Sequence, residues 1–114
     1  MMKSKGSLNK LNNDLFLSTL GLARRAGKVL HGFDNVIENA QKLDVVFIAS
    51  DSSSKTVRNI DFILQQFNVK TETINYTKAE LGYAIGTKPT GIIGIADSGF
   101  TKLLKARIST EVTE

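Results

Sequence analysis

The chain has 114 residues, 41% of them hydrophobic and 23% charged, with a net charge of +4 and a pI near 9.5. This is enough for one domain with a real core and too little for two, and no apolar run approaches the ~20 residues of a membrane span. With no cysteine, no tryptophan and a single histidine, most redox, metal and nucleophile arrangements cannot be assembled.

The charge is unevenly spread. Residues 1–31 hold six basic groups and one acid, residues 32–86 five and seven, and residues 87–114 four and three. Lys3, Lys5 and Lys10 fall in a polar leader over residues 1–11, which either keeps the protein soluble or joins in binding. No apolar stretch with a small-residue cleavage site follows them, so no secretory signal is expected and a cytoplasmic location fits.

A single domain is expected over residues 12–108. Phe16, Leu20 and Ala23 fall at helical spacing between Leu15 and Ala26, with Asn12 or Asn13 as the expected cap and Gly27 as the stop. Val29 and Leu30 predict a short strand. Gly32 then opens a second helix, in which Phe33, Val36, Ile37 and Ala40 follow the i, i+3, i+4, i+7 pattern. Val45 to Ala49 is an unbroken apolar run that suits a central strand covered on both faces.

Asp51 to Ser54 supply caps for a third helix carrying Val57, Ile60, Leu64 and Phe67. Thr71 to Ile74 predict a more polar strand. Thr77-Lys78-Ala79-Glu80 matches a capping box and starts a fourth helix that ends by Gly86. A second buried strand spans Gly91 to Ala96, its two glycines read as sites of close backbone packing. Asp97 or Ser98 caps a fifth helix, and 109–114 reads as a loose tail. The order αβαβαβαβα predicts an α/β protein, a three-layer α/β/α sandwich around a four-stranded mixed sheet.

Three stretches invite a chemical reading. Gly86 to Gly91 has the composition of a phosphate loop, but it follows a helix and enters a strand, the reverse of a nucleotide P-loop. His31 has no second histidine or cysteine to complete a metal site, and Asp34 beside it makes no catalytic pair without a nucleophile. No catalysis, metal or cofactor is therefore expected. The third stretch, Gly21 to Lys28, sets Arg24, Arg25 and Lys28 where one element stops and the next begins, a compact cationic cluster suited to phosphate. Beyond it, Asp34, Asn35, Glu38 and Asn39 occupy the open face of the second helix, where they serve either as a solvated surface or as acceptors and donors for base edges.

Gly21 to Lys28, Gly32, Val45 to Asp51, Leu81-Gly82-Tyr83-Ala84-Ile85-Gly86, Ile92 to Asp97 and Gly99-Phe100 together resemble the kink-turn RNA-binding ribosomal proteins of the L-seven-Ae class, most closely their bacterial YlxQ-type branch. The resemblance covers roughly residues 14–107. It implies a non-enzymatic sandwich that grips a sharply bent RNA, with sheared G·A pairs against the start of the second helix. By position the family's glycine falls on Gly32 and the polar residues that read the G·A pairs on Asp34 and Asn35, with Phe33 between them as a further candidate for RNA contact. Asp51, Ser52 and Ser53 would form one flanking loop. Thr87, Lys88, Pro89 and Thr90 would close over a flipped-out nucleotide. The family pattern has asparagine then glutamate where this chain has Asp34 and Asn35, and lysine where it has Glu38, which exchanges an attraction for phosphate for a repulsion.

The expectation is an RNA-binding protein that stabilises a bent, structured RNA, ribosomal or translation-related, with Arg24, Arg25 and Lys28 neutralising phosphates. Ribosome components are further expected partners, and a monomer is expected because one core accounts for the apolar residues. The alternative is a protein-interaction module of the translation machinery that keeps the fold and uses the acidic face around Glu38 for a basic partner.

Overall fold

The computed structural model describes residues 14–112, with side chains to residue 108. The leader with Lys3, Lys5 and Lys10, the candidate caps Asn12 and Asn13, and residues 113–114 lie outside the described residues. The elements are α1 (Leu15–Arg25), β1 (Val29–His31), α2 (Phe33–Glu38), a 3₁₀ turn (Ala40–Lys42), β2 (Val45–Ile48), α3 (Ser54–Gln65), β3 (Lys70–Thr73), α4 (Lys78–Ile85), β4 (Ile92–Ile95) and α5 (Ser98–Val112). The predicted order holds, and no helix among the described residues is long and apolar enough to cross a membrane.

Local chemistry explains where the helices begin. Asp14, not Asn12 or Asn13, caps α1, its carboxylate accepting the Leu17 N–H at 2.9 Å. Ser53 caps α3 through the Thr56 N–H, and Asp97 accepts the Phe100 N–H at 2.8 Å. The Thr77–Glu80 capping box closes in both directions, the Thr77 N–H donating to Glu80 Oε1 at 2.9 Å and the Glu80 N–H to Thr77 Oγ1 at 3.2 Å.

Two elements depart from the sequence reading. The second helix stops at Glu38, where Asn39 donates from its side chain to the Asn35 carbonyl at 2.8 Å and to Asn35 Oδ1 at 3.1 Å. Such local side-chain bonds compete with the helical ladder, and the chain continues as the 3₁₀ turn that keeps Ala40 buried. At the other end of the chain the backbone of α5 is helical to Val112, further than the segment from Ser109 read as a tail.

The strand order is β1-β4-β2-β3, with β2 and β3 parallel and the other two pairings antiparallel. β2 and β4 are therefore central, and all eight of their residues are buried. Side chains alternate between two cores. Val45, Phe47, Ile93 and Ile95 join Phe16, Leu20, Leu81 and Leu104 on the face covered by α1, α4 and α5. Val46, Ile48 and Ile92 meet Val36, Ile60 and Leu64 on the face covered by α2 and α3. Gly94 of β4, and Gly91 just before the strand, are close to side chains rather than to backbone. A Cβ on Gly94 would come within 2.8 Å of the Leu43 side chain, and one on Gly91 within 2.9 Å of Ser52 Oγ. The closest backbone approach is at Gly82 on α4, where a Cβ would overlap the Lys88 carbonyl.

Candidate nucleic-acid interface

β1 and β2 end, and β4 begins, at one edge of the sandwich, which gathers three loops. The Gly32 N–H donates to the Ile92 carbonyl at 3.0 Å, the Ala49 N–H to the Gly91 carbonyl at 2.8 Å, and the Ser50 N–H to the Tyr76 carbonyl at 2.8 Å. Two further bonds tie in the start of α4: Lys78 N–H donates to Asp51 Oδ1 at 2.9 Å, and Thr90 N–H donates to the Lys78 carbonyl at 3.1 Å. The loops are thus fixed to the sheet and to each other by four backbone bonds and by the exposed Asp51 carboxylate.

Between them lies a cleft of about 360 Å³. Gly32 and Phe33 form one wall, Ser52, Ser53 and Thr56 a second, and Lys78 with Pro89, Thr90, Gly91 and Ile92 the third. Gly32 precedes α2 at φ +94° and ψ 147°, a conformation essentially reserved for glycine, and offers no side-chain cap. The first N–H groups of α2 therefore stay uncovered. With six residues, α2 adds little dipole, so these N–H groups themselves are what the turn presents. Ser52 Oγ is buried without a hydrogen-bond partner among the described residues, leaving one donor and acceptor uncommitted at the cleft wall.

Of the residues singled out from sequence, Gly32, Phe33, Ser52, Ser53, Pro89 and Thr90 meet at this cleft. Asp34 and Asn35 are exposed on the first turn of α2 beside it, and Glu38 is exposed one turn on. Asn35 Oδ1 is already engaged by Asn39. Lys88 is exposed next to Pro89 without lining the cleft, its carbonyl packed on Gly82. Thr56, Lys78, Gly91 and Ile92 also line the cleft and were not singled out. The capping box fixes Lys78 as the first residue of α4, but nothing in the sequence tells that this helix start faces Gly32.

Arg24, Arg25 and Lys28 stand elsewhere. Lys28 precedes β1 and its carbonyl accepts the Ala96 N–H at 2.9 Å, whereas Gly32 follows β1. The cationic cluster and the cleft are thus at opposite ends of this strand, roughly 13 Å apart at about 3.3 Å per residue. His31 ends β1, and no group of three or more histidine, cysteine, aspartate or glutamate residues could hold a metal ion among the described residues.

No family model matches the sequence. The chain is 32% identical over 103 residues to the RNA-binding protein YlxQ of Enterococcus faecium, covering 89% of this chain and 98% of that protein. It is 31% identical over 87 residues to the RNA-binding protein YlxQ of Bacillus subtilis, covering 75% of this chain and 86% of that protein. Among solved structures, a protein of unknown function from Bacillus halodurans superposes with a TM-score of 0.76 at 30% identity, over 84% of this chain and 98% of the other. The 15.5 kD RNA-binding protein of Giardia lamblia shares the fold, with a TM-score of 0.67 at 18% identity over 89% of this chain and 87% of its own. The chain therefore belongs to the YlxQ family, whose two matched members are RNA-binding proteins.

Proposed function

We propose that this protein binds a sharply bent, kink-turn type of structured RNA and stabilises the bend without chemistry. The observation that carries this reading is the cleft itself, in which Gly32, Ser52 and Pro89 from three loops converge on one uncovered helix start. Proteins that recognise RNA by sequence engage unpaired or splayed bases, and shape and backbone supply much of the remaining affinity. Here the cleft takes an unstacked base, with Ser52 Oγ as an uncommitted hydrogen-bonding group and the Pro89 loop as its cover. The exposed Asp34 carboxylate accepts from the imino and amino edge of guanine in a G·A pair, and Asn35 lies beside it. Lys78 and Lys88 supply charge at the rim. Glu38 repels phosphate one turn further on, so in this reading the RNA backbone passes on the Gly32 side of α2.

Ribosomal RNA or another RNA of the translation apparatus is the partner class, met in the cytoplasm by a monomer. The reading is tested by titrating the protein with a short kink-turn RNA and with the same RNA after its G·A pairs are replaced, at two salt concentrations. Submicromolar binding that is lost with the G·A pairs is the expected result. Weak binding that is equal for both RNAs, and falls steeply with salt, contradicts it.

A further inference from the structure

We propose that Arg24, Arg25 and Lys28 form a second phosphate-contacting surface, at the end of the sheet opposite the cleft, which engages a different segment of RNA from the one in the cleft. The proposal rests on the RNA binding read above and not on its kink-turn specificity.

Charge is distributed in the sense this requires. At the cleft end Lys55, Lys78 and Lys88 are matched by Asp34, Asp51 and Glu80, so that end is close to neutral. At the opposite end Arg24, Arg25, Lys28, Lys42 and Lys70 outnumber Asp44 and Asp97. Arg25 and Lys28 are exposed and Arg24 is half-exposed, and none of the three side chains has an ion-pair partner among the described residues. Their charge is thus available to an external anion. The roughly 13 Å between Lys28 and Gly32 is beyond the reach of one side chain, whereas an RNA duplex carries phosphate charges continuously along its axis at a far closer spacing. An RNA held in the cleft can therefore lay a second stem, or a second RNA a separate backbone, on the cationic end.

Cations on the last turn of α1 also suit the helix C-terminus, whose carbonyls carry partial negative charge. That accounts for Arg24 and Arg25 but not for Lys28, which lies beyond the helix after Gly27. The two explanations differ in what they predict, since a cap alters stability and a phosphate surface alters RNA affinity.

The test uses the full chain and a plain RNA duplex of about 20 base pairs, with no kink, at low salt. Binding is compared for the wild type, Arg24→Ala/Arg25→Ala/Lys28→Ala, and a cleft variant, Ser52→Trp. A second charge variant, Arg25→Glu/Lys28→Glu, touches only exposed side chains and guards against misfolding. Both charge variants are expected to lose affinity about tenfold or more, the triple variant lowering the slope of log affinity against log salt by about two to three. The cleft variant is expected to bind the plain duplex as the wild type does. Plain-duplex binding that survives both charge variants overturns the proposal and leaves the cationic end to an acidic protein; binding lost through the cleft variant instead overturns it in favour of a single site. Kink-turn binding, measured separately, decides the reading of the cleft whichever way the duplex result falls.

Discussion

The Tyr76 hydroxyl donates to the Asp14 carboxylate from a position 2.9 Å from Oδ1 and 2.8 Å from Oδ2, 62 residues apart in sequence and both buried. Asp14 also caps α1, so one carboxylate fixes the start of the first helix and anchors it to the segment leading into α4. The Tyr76 ring stacks on Phe16 at 4.9 Å and 13°, and Phe16 in turn meets Phe47 of the central strand edge-on. This cluster ties α1, β2 and the approach to the cleft into one unit.

Removing that hydroxyl leaves a buried carboxylate short of a donor while keeping the ring. Tyr76→Phe is expected to destabilise the fold by about 1–3 kcal/mol, read as a lowered urea midpoint at unchanged slope. RNA affinity below the unfolding transition should not change. A midpoint equal to the wild type would show that the bond contributes nothing net.

Gly82 and Gly94 give a paired prediction. A methyl at Gly82 meets the Lys88 carbonyl and comes within 2.9 Å of the Pro89 Cα, both backbone groups. At Gly94 it meets the ends of the Leu43 side chain, which can move. Gly82→Ala is therefore expected to cost about 1–3 kcal/mol and to displace the loop that covers the cleft, lowering RNA affinity as well. Gly94→Ala should cost less and leave RNA binding intact. Equal RNA affinities in the two variants would separate the Lys88–Pro89 loop from the interface.

Gly32 combines strain with position. Nothing lies within 4 Å of a Cβ placed there, so sterics within the protein do not forbid a side chain, but φ of +94° does so by backbone strain of about 1–3 kcal/mol. Gly32→Ala is expected to lower thermal stability modestly and RNA affinity strongly, because the added methyl stands in the proposed RNA contact. A stability loss without an affinity loss would place the contact elsewhere.

Much of the architecture was legible because local chemistry agreed with the fold. The Thr77–Glu80 box marked the start of α4 to the residue, Gly86 marked its end and sits at φ +75°, and the Val45–Ile48 run marked a strand buried on both faces. The break at Asn39 was not legible, since Ala40 keeps the helical rhythm while the Asn39 amide diverts the backbone. The site was legible only in part. Gly32, Ser52 and Pro89 converge because β1, β2 and β4 share an edge, which element order alone does not give. Arg24, Arg25 and Lys28 looked adjacent to Gly32 in sequence, yet a strand of three residues carries the chain from one end of the sheet to the other. Thr56 left no mark, and Lys78 none beyond its place in the capping box, because their position at the cleft comes from loop pairing across it.

Amide chemical-shift mapping during titration with a kink-turn RNA locates the contact residue by residue. Binding at the cleft predicts that the largest changes fall on Gly32 to Asn35, Ser52 to Thr56 and Thr87 to Gly91, with short-stemmed RNA leaving Lys28 unmoved. Changes confined to the exposed faces of α3 and α5, with these three segments silent, would contradict it.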